Sequence, residues 1–121
     1  MHVTRFSQAL SYHPPRHANM ACVRLQGHEA RRSESMWLGV SHVLPGGQTD
    51  LAASPVEKMY VVLEGSVSIG NGTEEVELHL HDSVRLATGE SRQVINRGAR
   101  TAMVLLVMAG LGFKISAVPF Q

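Results

Sequence analysis

The stretch Met59-Tyr-Val-Val-Leu-Glu-Gly65-Ser-Val-Ser-Ile-Gly70-Asn-Gly-Thr-Glu-Glu75-Val-Glu-Leu-His-Leu80 decides the fold. Met59 to Leu63 is too short and too β-branched for a helix, and Glu64-Gly65 turns it. Ser66 to Ile69 ends at Gly70-Asn71-Gly72, a strong hairpin signal. Glu75 to Leu80 then alternates polar and apolar, the period of a strand with one wet face and one dry face.

The same reading extends outward. Met36 to Leu44 is an apolar-rich run that stops at Pro45-Gly46-Gly47, a turn cluster. Met20 to Leu25, Val84 to Leu86, Gln93 to Asn96, Thr101 to Met108 and Phe113 to Val118 read as further short strands. Gln26 to Ser35 reads as a loop, and residues 1–20, with prolines at 14 and 15, as an extended arm. Short strands with Gly-containing turns and no convincing helix make an antiparallel sandwich or barrel. Strand spacing alone does not choose between jelly roll, lipocalin-like barrel and immunoglobulin-like sandwich.

Composition narrows the function classes. The chain has 121 residues, 44% hydrophobic and 17% charged, one domain's worth with enough apolar content to fold. Nine Arg and two Lys against ten acids leave a net charge of +1, and the cations are scattered, so nucleic acid is not an expected partner. The longest apolar run, Ala102 to Leu111, is about half of the roughly 20 residues a membrane helix needs, so no membrane partner is expected. A single cysteine, Cys22, and the absence of a signal-peptide pattern lead to an expectation of a cytoplasmic protein.

Two spaced motifs resemble those of the cupin superfamily, small antiparallel jelly-roll β-barrels of the double-stranded β-helix type. The first motif falls on Gly46 to Gly65 and puts the family's functional slots at Ala52, Ser54 and Lys58. The second falls on His81 to Asn96, with Gly89 and Asn96 matching, Ala87 in the proline slot and Arg92 in the histidine slot. The resemblance covers residues 36–118 and implies a cupin barrel over 36–121, preceded by an arm and short strand over 1–35. Small cupins resembling this chain form homodimers by strand exchange, which implies a homodimer with the arm packed on or swapped with the partner.

In metal-binding cupins the four ligands occupy the positions held here by Ala52, Ser54, Lys58 and Arg92. Alanine has no donor atom, and an ammonium or guanidinium offers no lone pair. The expectation is therefore no metal and no cofactor. Strand alternation points Lys58 inward with Tyr60 and Val62, and Arg92 inward from a neighbouring strand.

The expected ligand is then a small anion, a carboxylate or phosphate, bound by Lys58, Arg92, Tyr60, Ser54 and His42. The competing reading pairs the two cations internally, with Glu57 and Glu90 as candidate partners. A further alternative is a cupin enzyme, an isomerase, cyclase or decarboxylase of a small organic acid, with Lys58 or His42 as acid or base. His42 with Glu57 is one His and one Glu, fewer than the three protein ligands of a usual catalytic zinc site. His79, His81, His13, His17 and His28 read as ordinary surface histidines, and Cys22 as a small buried hydrophobe.

Overall fold

The computed structural model describes residues 1–109; the strand expected at Phe113–Val118 lies outside them. Ten strands form one antiparallel barrel-like sheet: β1 Leu10–Tyr12, β2 His17–Gln26, β3 Met36–Thr49, β4 Ala52–Ala53, β5 Lys58–Glu64, β6 Val67–Gly70, β7 Glu75–Leu78, β8 Ser83–Leu86, β9 Ser91–Ile95 and β10 Ala102–Ala109. Single-turn 3₁₀ helices at Phe6–Gln8 and His28–Ala30 precede β1 and follow β2. The main strand order is β7-β6-β9-β3-β10-β5-β8, with β2 on β3, β1 on β2 and β4 on β9.

The core lies inside this wall. Val43, Val62, Ala102 and Val104 are almost completely buried and pack with Val67, Ile69, Leu86 and Val94. These are mostly β-branched residues on inward positions of central strands, where a pleated surface suits them. Edge strand β7 is less regular than its alternation implies: Leu78 is buried while Val76 stays exposed, as does Leu80 beyond the strand's end.

Two departures from the sequence expectations shape the cavity. Residues 36–49 form one continuous strand, so Pro45-Gly46-Gly47 is a kink inside β3 and not its end. Pairing with β2 slips there, from Ala18↔Gln48 to Met20↔Val43. Gly46 takes a φ of +80°, which favours glycine. Asn96 closes the kink: its backbone N–H donates to Gly47 O and its carbonyl accepts from Gly46 N–H, both at 2.9 Å. The buried Asn96 side chain donates to Val43 O and Arg100 O and accepts from Gly98 N–H.

The N-terminal region is also more structured than an extended arm. β1 and the ten-residue β2 form a hairpin laid along β3 of the same chain. The division into arm and barrel at residue 35 therefore separates strands that share one sheet.

Candidate functional site

The alternation of β5 builds one wall of a cavity. Lys58 is 3% exposed and Tyr60 and Val62 face inward with it, while Met59 between them is 44% exposed. Lys58 lies opposite Leu86 on β8 and Met108 on β10. Arg92 comes from β9, where it pairs with Ala52 of β4. Strand β9 is not a neighbour of β5, contrary to expectation, so the two cations reach the cavity from separate parts of the wall.

The cavity has a volume of about 520 Å³ and takes Lys58, Arg92, Tyr60 and Ser54 into its lining. Ser54 Oγ accepts from the Val56 N–H at 3.4 Å. His42 does not join them. Trp37, Ser41 and Val43 of β3 line the cavity, so the even-numbered His42 falls on the other face, where its ring lies 5.9 Å from that of Phe6. The inward placement expected of His42 is thereby corrected.

The internal pairing that the competing reading gave the cations is not found among the described residues. Glu57 is engaged by Arg85. Glu90 accepts from the Ala87 N–H at 3.0 Å and from Asn71 Nδ2 at 3.2 Å. Among the described residues neither Lys58 nor Arg92 makes an ion pair; the pairs are Arg24–Glu29, His79–Glu77, Arg85–Glu57 and Arg97–Glu75. Arg92 is held by neutral acceptors, its Nη1 donating to Thr49 Oγ1 at 2.8 Å and to the Asp50 carbonyl at 3.5 Å. Its buried Nε has no partner among the described residues.

Electrostatics follow from this arrangement. Burial, and then the Arg92 charge, push the Lys58 ammonium down to about 8. Burial pushes the Tyr60 hydroxyl up, against the pull of Arg92 beside it.

The sequence reading missed the hairpin's share of the cavity. Tyr12, His17 and Arg24 of the hairpin line it beside Trp37 of β3. Arg24 lies 3.9 Å from the centroid of the Tyr12 ring and 4.2 Å from that of Trp37, and its Nε donates to Glu29 at 2.6 Å. His17 is half-buried and lies opposite Thr49. Burial, then Arg92 and Lys58, lower its pKa against the pull of the Pro15 carbonyl. Period-two counting back from Met20 selects Ala18; the irregularity at Asn19, with φ +53°, brings His17 to the cavity instead. His79 and His81 are exposed, and Cys22 is buried with Sγ 3.3 Å from Ser41 Oγ.

Of the four residues that the cupin resemblance aligns with metal ligands, Ala52 has no donor atom and Lys58 and Arg92 are cations, a set whose chemistry does not fit a divalent metal. Among the described residues no three His, Cys, Asp or Glu side chains come together as a ligand group. No helix among them is long and apolar enough to cross a membrane.

No protein-family model matches the chain. It is 42% identical over 109 residues to the beta-D-galactosidase Rv1717 of Mycobacterium tuberculosis, a match spanning 90% of this chain and 94% of that one. The chain belongs to that protein's family. Its barrel resembles the polyketide cyclase RemF of Streptomyces resistomycificus, with a TM-score of 0.79 at 18% identity over 90% of this chain and 79% of the other. It also resembles an RmlC-like cupin of Shewanella frigidimarina, with a TM-score of 0.76 at 10% identity over 90% of each chain. The fold is that of the cupins, an all-β jelly-roll barrel, and the cavity described above is the interior of this cupin barrel.

Proposed function

We propose that the barrel binds a small anionic molecule through Lys58 and Arg92, with Tyr60 and Ser54 as hydrogen-bonding wall and no metal between protein and ligand. One observation carries the reading: Lys58 and Arg92 share a cavity of about 520 Å³, and Glu57 and Glu90, the partners of the competing reading, are engaged elsewhere. Paired cations in a low-dielectric site repel, and an anion relieves both the repulsion and the desolvation. Arg92 brings a planar fork, already oriented by Thr49, and Lys58 a point charge. The apolar remainder of the lining, Val43, Val104 and Leu106 among it, suits a ligand with a carbon frame.

The mycobacterial relative favours a second reading, hydrolysis of a β-galactoside. Glycosidases ordinarily use two carboxyl groups across the scissile bond. Asp50 is the one carboxyl side chain among the described lining residues, so Lys58, near 8, or Tyr60 would have to serve as proton donor.

Calorimetric titration with D-galacturonate tests the first reading. Lys58→Met and Arg92→Met each lower affinity about tenfold or more if an ion pair with the ligand is lost; unchanged affinity in both sinks it. Turnover of a chromogenic aryl β-D-galactoside that disappears in both Asp50→Asn and Lys58→Met establishes hydrolysis. Wild-type turnover no faster than the uncatalysed rate rejects hydrolysis of that substrate.

A further inference from the structure

His17 is a further polar group of the cavity, and its ring is held in a defined state. It begins β2 directly after the turn at residues 13–16, where Arg16 takes a φ of +59° and the Asp50 N–H donates to Arg16 O at 3.0 Å. Its Nδ1 lies 2.7 Å from the Pro15 carbonyl. A carbonyl only accepts, so Nδ1 carries the proton and the neutral ring has its free lone pair on Nε2. Across the β2–β3 ladder His17 faces Thr49, whose hydroxyl oxygen accepts from both Arg92 Nη1 and the Val94 N–H. One contiguous patch therefore offers an acceptor at His17 beside the cationic donors of Arg92.

We infer that the ligand is a hydroxyl-bearing acid, with His17 Nε2 accepting a hydrogen bond from its hydroxyl while Lys58 and Arg92 hold its anionic group. The inference rests on the anion reading of the same cavity. A simple acid satisfies the two cations and leaves the acceptor unused; a neutral sugar does the reverse. The charged groups around the ring are Arg92 from β9, Lys58 from β5 and Asp50 beyond the end of β3. The two cations and burial together keep the imidazole neutral near pH 7, the state in which Nε2 accepts.

The experiment compares D-galacturonate, D-galactose and cyclohexanecarboxylate by titration calorimetry on the full chain. The wild type binds galacturonate about tenfold more tightly than cyclohexanecarboxylate, the yield of one buried hydrogen bond. His17→Phe brings that ratio close to one while cyclohexanecarboxylate stays within about twofold of its wild-type affinity. The wild-type ratio needs no variant and decides alone if His17→Phe fails to fold: a ratio close to one overturns the inference.

A ratio unchanged by the substitution overturns this inference and leaves the anion site standing. So does an equal loss for both acids, or galactose binding as tightly as galacturonate. No binding of either acid by the wild type overturns the anion reading and the inference together.

Discussion

Lys58 is a charge held at a cost. It is 3% exposed, has no carboxylate partner among the described residues, and is pushed from its ordinary value of 10.5 down to about 8. The folded chain therefore gives up this proton more readily than the unfolded chain. Between about pH 8 and 10.5 the unfolded state binds more protons, so this group's contribution to stability rises with pH across that window and is most unfavourable below it. The difference of pKa corresponds to about 3 kcal/mol. Cys22 and Tyr12, pushed up by burial, act in the opposite sense above their ordinary values of 9.0 and 10.0, so the wild-type profile alone does not isolate Lys58. Lys58→Met isolates it. The variant should be more stable than wild type by about 2 kcal/mol at pH 7, with the gap closing by pH 10.5, as read from urea unfolding at each pH. A gap that does not change with pH would show that Lys58 is solvated and not desolvated. A charge kept at a cost in stability agrees with the ligand role proposed for Lys58.

Strand β3 is the element that carries the architecture, and its kink is where the chain tolerates least. A Cβ built on Gly47 would lie 2.3 Å from Asn19 O and 2.9 Å from Leu44 O, both backbone atoms rather than the ends of flexible side chains. Gly47→Ala should cost about 2–4 kcal/mol. Gly46→Ala meets nothing within 4 Å and pays only for its φ of +80°, about 1 kcal/mol. Urea midpoints of the two variants decide it, and equal losses would contradict the close approach at Gly47. The kink also marks the limit of what local pattern reveals. The strands from Met59 to Leu86 were legible because period-two alternation and Gly turns are local, and the inward slots of Lys58 and Tyr60 follow from that alternation. Pro45-Gly46-Gly47 read as an end because those residues usually end strands; it runs on because Asn96, some fifty residues away, supplies the missing partners. Glu57 and Glu90 were plausible partners by proximity in sequence, yet Arg85 and the Ala87–Asn71 pair claim them through contacts no spacing rule contains. His17 stayed hidden because the irregularity at Asn19 shifts its phase.

At the scale of the whole molecule the cavity lies between the core and the hairpin. Met20 of β2 packs against the core cluster, whereas Tyr12 and the turn at residues 13–16 wall the cavity and reach across to Asp50. Val43, Tyr60, Val94 and Val104 belong to the core cluster and form the facing wall. In the structure described here the hairpin closes its own barrel, β2 lying along β3 of the same chain. A homodimer with exchanged arms, the assembly implied by the cupin resemblance, would make the same contacts with a second copy's hairpin. The two arrangements differ in how binding responds to dilution. With a self-closed barrel the galacturonate affinity is independent of protein concentration, because every group of the site belongs to one chain. With exchanged arms, dilution below the dimer's dissociation constant removes Tyr12 and His17 from the cavity and affinity falls with it. Titrations at protein concentrations a hundredfold apart, alongside sedimentation velocity at the same concentrations, separate the two. Constant affinity across a dimer-to-monomer transition assigns the hairpin to its own barrel. Affinity that drops in step with dissociation assigns it to the partner and makes the dimer the functional unit.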